Sequence, residues 1–216
     1  TFWYGGDSTF ENAEALEKNP EIQKADMIFA VGGGRAVDTC KYAAEHMDKP
    51  IFAFPTLASN CAPVTAVCVI YYPDHRFRQV WYRSRPPFHT FINTKIIAEA
   101  PREYLWAGIG DALSRQYESL FSSRGKAVDY VEALGIQIAS GCSEGLLSNG
   151  EAALKSADQK KVSPELERVA QNIILTTGLV SNCVQEQYNS SIAHGVYYSH
   201  CSIPRTRPHL HGPVVC

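Results

Sequence analysis

The sequence predicts an α/β region built on a parallel sheet, followed by an all-α region. Three observations predict it. The apolar runs MIFAV (27–31) and IFAF (51–54) have strand length, and a glycine turn and a helical stretch join them. Strand, turn, helix, strand is a βαβ unit, which needs a parallel sheet and a right-handed crossover. Beyond about residue 95 helical spacing takes over and β-branched clusters thin out.

The elements follow in order. Phe2–Tyr4 reads as a short aromatic strand before Gly5 and Gly6. Ser8 precedes Glu11 by one capping-box interval, which opens a helix to about Lys18. MIFAV has the continuous apolar character of a strand buried on both faces. Helical spacing resumes at Ala36 and fades near Met47. Val67–Tyr72 and Phe77–Tyr82 flank Pro73-Asp74-His75 and read as a hairpin. Phe91–Ile92 is placed as a return to the main sheet. Helices are expected over Arg102–Phe121, Ala127–Leu147, Pro164–Ser181 and Ser190–Tyr198, with Pro164 in a first turn. The change of character gives an α/β domain over 1–97 and a helical domain over 98–216.

Composition narrows the classes of function. Hydrophobic residues make up 45% of the 216, which suits a packed core. Lys+Arg 20 against Asp+Glu 22 gives a net charge of −2, so bulk charge offers no hold on nucleic acid. No stretch approaches the ~18 apolar residues of a membrane helix, and the first residues lack a signal-peptide pattern. The 7 cysteines include no CxxC pair. Reduced thiols in a cytoplasmic protein are the expectation.

Three places offer chemistry. The first is Gly32-Gly33-Gly34-Arg35-Ala36-Val37-Asp38, directly after a strand and opening a helix. Glycines let backbone N–H groups approach a phosphate, and the helix points its positive end there. A tight structural turn explains the same residues, with Asp38 a first-turn carboxylate. The second is the loop Pro55-Thr56-Leu57-Ala58-Ser59-Asn60-Cys61-Ala62-Pro63-Val64-Thr65, at the strand end where open α/β sheets bind ligands. By type alone it is an ordinary hydroxyl-rich loop. The third is Asp111, His194 and His211, a donor set able to hold a divalent cation. Their separations carry no local signature, and His200 and His209 are eligible by type. His46, His75 and His89 are read as surface or packing residues.

Taken in order, the stretches GGGRAVDTCKYAA (32–44), FPTLASNCAPVTAVCVIYY (54–72), IIAEAPREYLWAGIGDALSRQYE (96–118), SIAHGVYYS (191–199) and HLHGPVV (209–215) resemble the iron-containing alcohol dehydrogenase superfamily, within it the glycerol dehydrogenase-like group. The resemblance implies a Rossmann-like nucleotide-binding domain, then a helical metal-binding domain, the dehydroquinate synthase-like architecture, with the cofactor in the cleft between them. It also implies that a first βα segment and the last helices of longer members are missing. By position it implies that Gly33, Gly34, Arg35 and Asp38 meet the pyrophosphate of NAD or NADP. Thr56, Ser59, Thr65, Val67 and Tyr71 would line the cofactor groove. Asp111, His194 and His211 match the metal ligands, with zinc expected ahead of iron.

One departure bears on substrate. Glycerol dehydrogenases carry an Asp in the stretch that here reads Ser59-Asn60-Cys61-Ala62-Pro63, where it contacts substrate hydroxyls. Cys61 stands in its place, and a thiol accepts hydrogen bonds poorly. The expectation is hydride transfer between a small alcohol, a glycerol-like polyol or 2-hydroxy acid, and its carbonyl compound, in a homo-oligomer. The alternatives are the 2-oxo acid reductase (hydroxycarboxylate dehydrogenase) branch, a sugar-phosphate cyclase of the dehydroquinate synthase type, and a non-catalytic relative.

Overall fold

The chain enters the fold at a helix. In the computed structural model, which describes residues 1–203 and 209–216, Phe10–Glu17 forms α1 and Pro20–Gln23 forms α2. Phe2–Tyr4, expected as a strand, forms none. The cap of α1 is Thr9, whose side chain accepts from the Asn12 N–H, and not Ser8. Ser8 is committed elsewhere: it is fully buried and its carbonyl accepts from the Tyr71 N–H.

Ile28–Gly32 (β1), the helix Gly34–His46 (α3) and Ile51–Pro55 (β2) form the βαβ unit, with β1 and β2 parallel and in register. Gly32 turns the chain between strand and helix at φ +153, and a Cβ there would lie 2.7 Å from that of Ala36. Ala30, Val37, Ala44 and Ile51 make the core beneath α3. The strand expected to be buried on both faces is covered on one. Side chains alternate along β1, so Ala30 is fully buried while Phe29 and Val31 remain 59% and 63% exposed, with Phe52 and Phe54 around Phe29.

Val67–Tyr71 (β3) and Phe77–Tyr82 (β4) form the antiparallel hairpin. His89–Thr90 (β5) completes the parallel sheet in the order β1-β2-β5, so the return strand pairs two residues earlier than expected. A buried ion pair ties α3 to the chain before and within β3. The Lys41 ammonium lies 2.9 Å from Asp38 Oδ1 and donates to the carbonyls of Ala62, Thr65 and Val67. Asp38 also accepts from the Val69 N–H. Burial pushes the Asp38 carboxyl up, and Lys41 pulls it back without cancelling that rise.

This first unit comprises residues 1–56 and 62–92; the second comprises 57–61 and 93–216. The change expected near residue 97 thus falls after Ile92, and Leu57–Cys61 packs with the helical part. Its helices are α4 (Thr94–Glu99), α5 (Arg102–Ser122), α6 (Tyr130–Ala139), α7 (Cys142–Asp158), α8 (Pro164–Gln171), α9 (Thr177–Cys183), α10 (Glu186–Asn189), α11 (Ile192–His200) and α12 (His211–Val215).

The single helix expected over Ala127–Leu147 is two. A capping box of Asp129 and Glu132 opens α6, and the chain breaks at Ser140-Gly141. α7 then runs beyond Leu147 on the buried small residues Gly150, Ala153 and Ala157, which carry little apolar signal. Pro164 opens α8 behind a Ser163 cap, and a π-helical turn at Asn172–Thr176 leads into α9. The core here joins Ala139, Cys142, Val180, Val184 and Tyr188. Among the described residues no helix is long and apolar enough to cross a membrane, and the cysteines are thiols with no disulfide between them.

Lys41→Met tests the buried pair. It strands Asp38 and three carbonyls, so about 3–5 kcal/mol of stability is expected to be lost. Urea unfolding checks this, and a loss below about 1 kcal/mol refutes the bracing role.

Candidate metal centre

α5 supplies the first half of the site. Its buried face carries Gly110, Asp111, Arg115, Glu118 and Ser119. Asp111 and Glu118 sit two turns apart on that face. The small residues matter as much as the charged ones. A Cβ on Gly212 would meet the Ala107 carbonyl oxygen at 1.6 Å, and one on Gly110 would meet the Gly212 carbonyl oxygen at 2.7 Å. The His211-Gly212 start of α12 therefore lies directly on the α5 backbone.

His194, in the first turn of α11, and His211 complete the set. His194 Nε2 lies 3.6 Å from Asp111 Oδ1, and His211 Nε2 lies 3.0 Å from the same oxygen. One donor atom from each of Asp111, His194 and His211 falls within 4.8 Å of the others. Asp111 and His194 are buried, and His211 is partly exposed. Asp111 Oδ1 is buried and finds no hydrogen-bond geometry, although two ring nitrogens crowd it. An acceptor so placed, with two imidazole lone-pair positions aimed beside it, fits a divalent cation of the N/O-binding kind.

The charges are set by these contacts. Burial would raise the Asp111 carboxyl, but His194 and His211 hold it well below the usual carboxylate range. Burial would lower His194, but Asp111 and Glu118 raise it above the ordinary imidazole value. His211 is lowered, because its desolvation outweighs its share of Asp111. Arg115 stays charged despite burial, raised by Cys61, Asp111 and Glu118. Its Nη1 donates to the backbone and side-chain oxygens of Asn189.

The remaining expected site residues fall as follows. In the first unit, Gly33 is the extended N-cap of α3 and Gly34 its first residue. Arg35 is exposed and engaged, with Nε 3.4 Å from Asp7 and Nη2 3.1 Å from His75 Nε2. His75 also holds Asp7 through Nδ1 at 2.6 Å, in keeping with the packing role expected of it. Asp38 turns inward, as described. Thr56 donates its N–H to Gly32, Thr65 is buried, Val67 is half-buried, and Tyr71 stacks on His75. In the second unit, Ser59 is half-buried and Cys61 buried beside Arg115. His200 is partly buried on α11, and His209 is largely exposed. Glu118 lies outside the expected set, although its two-turn spacing from Asp111 signals it.

The chain is similar to known proteins. The family model described as iron-containing alcohol dehydrogenase matches residues 2–101. A glycerol dehydrogenase of Thermotoga maritima is 32% identical over 98% of this chain and 58% of its own. Hydroxycarboxylate dehydrogenase A of Escherichia coli is 30% identical over 88% of this chain and 52% of its own. The crystal structure of a probable glycerol dehydrogenase from Sinorhizobium meliloti superposes with a TM-score of 0.86 at 28% identity, over 98% of this chain and 60% of that one. The chain thus spans a little over half the length of these relatives. Along almost its whole length it is similar to members of the iron-containing alcohol dehydrogenase superfamily.

Proposed function

We propose that the protein is a metal-dependent, NAD(P)-linked oxidoreductase that interconverts an alcohol and its carbonyl compound by hydride transfer. The observation that carries this reading is the convergence of Asp111, His194 and His211 within 4.8 Å in a chain similar to that superfamily. When bound, a divalent metal polarises a substrate oxygen and a nicotinamide cofactor accepts or gives the hydride.

The protein's own residues do the rest. Asp111 brings the one negative charge of the donor set and is held ionised by its neighbours. His194 and His211 offer Nε2 atoms from two different helices to the same point. Tyr197 meets the His211 ring edge-on, at 4.2 Å between centroids, and restrains its rotation. In the first unit, Gly33 and Gly34 bring the N–H groups of the α3 first turn toward a pyrophosphate, with Arg35 beside them. Within the first unit, Thr56, Thr65, Val67 and Tyr71 are the residues proposed to face the cofactor; Ser59, in the second unit, is proposed as a cofactor contact on its own. Zinc is proposed ahead of iron on the likeness to glycerol dehydrogenases. A cytoplasmic homo-oligomer acting on small molecules, and not on nucleic acid or membranes, completes the proposal.

A second substrate reading has its own observation. Cys61 and the buried cation Arg115 lie together where the resemblance places a carboxylate for polyol hydroxyls. A thiol in place of that carboxylate, with the Arg115 cation beside it, favours a substrate carrying an acid group, so a 2-hydroxy acid competes with a polyol.

Two substitutions test the centre. His211→Ala is expected to lose bound metal and alcohol-dependent NAD(P) reduction together, with the first unit still folded. Elemental analysis and a cofactor-reduction assay with polyols and 2-hydroxy acids check this. Full turnover in metal-free buffer refutes the metal role. Gly212→Ala forces α12 off α5 and is expected to cost about 1–3 kcal/mol, with weaker metal retention. Unchanged unfolding and unchanged metal content argue against the close approach as a determinant of the site.

A further inference from the structure

We propose that Glu118 is the positioning residue of the metal centre: it fixes the tautomer and direction of His194 so that Nε2 presents a lone pair beside Asp111. The inference rests on the metal-dependent reading above and goes beyond its three ligands.

The geometry is specific atom by atom. Glu118 is buried, with 6% of its side chain exposed. Its Oε1 accepts two backbone N–H groups, from Ser191 at 2.8 Å and His194 at 3.2 Å. Its Oε2 is thereby left to His194 Nδ1, at 2.5 Å. An ionised carboxylate can only accept, so the proton in that contact belongs to Nδ1. The other ring nitrogen, Nε2, then has no need of its proton when a cation is present, and it faces Asp111 Oδ1. With two N–H groups on Oε1 and the ring nitrogen on Oε2, both oxygens of Glu118 face donors, as an acceptor-only carboxylate requires.

The same carboxylate also replaces a missing cap. Ser191, the N-cap of α11, gives no side-chain hydrogen bond to the helix. Glu118 reaches across from α5 and takes the orphan N–H groups instead, with its negative charge at the helix's positive end. Neighbours on α5 fasten the preceding loop. Arg115 donates to Asn189, and the Ser119 hydroxyl donates to the Tyr188 carbonyl. Ring position and ring tautomer are thus set from one helix, the helix that also carries Asp111. Carboxylates that orient a metal-bound imidazole in this way typically change metal affinity 10–100-fold when removed.

Glu118→Gln separates the two roles. The amide oxygen keeps both backbone contacts, so α11 stays capped. The amide nitrogen replaces Oε2 and donates to Nδ1, which drives the ring proton to Nε2 and blocks the ligand position. Zinc affinity, measured by chelator competition, is expected to fall about 10–100-fold with circular dichroism unchanged. Nitrogen-15 NMR of the zinc-loaded unsubstituted protein is expected to show a downfield, slowly exchanging His194 Nδ1 proton. That measurement stands even where the variant fails to fold. Zinc binding by Glu118→Gln within twofold of the unsubstituted protein overturns the proposal, as does an Nδ1 proton in free exchange with water. An unsubstituted protein that retains no zinc or iron overturns the metal-dependent reading itself, and this inference with it.

Discussion

The Asp111 carboxylate is only 2% exposed. Removing an ionised carboxylate from water costs several kcal/mol unless charges and donors replace the lost hydration. The rest of the second unit is arranged around that requirement. Two imidazoles crowd Oδ1, and Arg115 lies one helical turn away on the same face of α5. Yet Glu118 brings a second buried carboxylate to the same face, so two carboxylates stand against one guanidinium. Neutral imidazoles leave a net negative charge there, and raised His194 offsets it only while it holds an extra proton. A divalent cation outweighs that net negative charge without the extra proton, and both imidazoles can then serve as neutral ligands.

Such a site needs three distant segments to meet within a few ångströms, and backbone bulk decides whether they can. α12 reaches α5 because Gly110 and Gly212 have no side chain at their contact. α11 reaches it because α5 side chains seize the loop in front of it, through Arg115, Glu118 and Ser119. Position and charge are therefore not independent in this unit. Arg115 both opposes the charge of Asp111 and fastens the loop before α11, and Glu118 both fastens α11 and holds His194, a partner of Asp111.

This coupling explains which parts of the molecule are legible in the sequence. The βαβ unit announces itself because strand, glycine turn and helix are local patterns, and the hairpin likewise. Burial of β1 on one face only is not legible, since an apolar run reads the same whether one face or two are covered. The start of α1 differs by one residue from expectation because Ser8 and Thr9 both suit a cap, and the local pattern does not decide between them. α12 is a short helix containing glycine and proline and has no periodic signal. The metal set is legible through resemblance alone: its members lie too far apart for spacing to mean anything. Glu118 is within reach, as a second acid on the Asp111 face of a helix otherwise lined with small residues.

The first unit shows the same coupling of stability to site in a more local form. α1 and α2 each begin with a side chain that accepts their first free N–H groups, and α3 begins with glycine, which has none to offer. A side-chain cap there would satisfy the helix and occupy the space an incoming anion needs. Arg35 is meanwhile held in place by Asp7 and His75, and burial, opposed by His75 and Arg35, leaves Asp7 below its ordinary value. The turn keeps its cation fixed and its N–H groups uncommitted to side chains, while Asp38 and Lys41 brace the other end of the segment from within. A turn that only connected β1 to α3 would gain more from a capping serine or aspartate at position 33. Glycine there gives up only a few tenths of a kcal/mol against such a cap, and it leaves the first-turn N–H groups uncovered by any side chain, which is the physical argument for the turn's proposed role in holding a pyrophosphate.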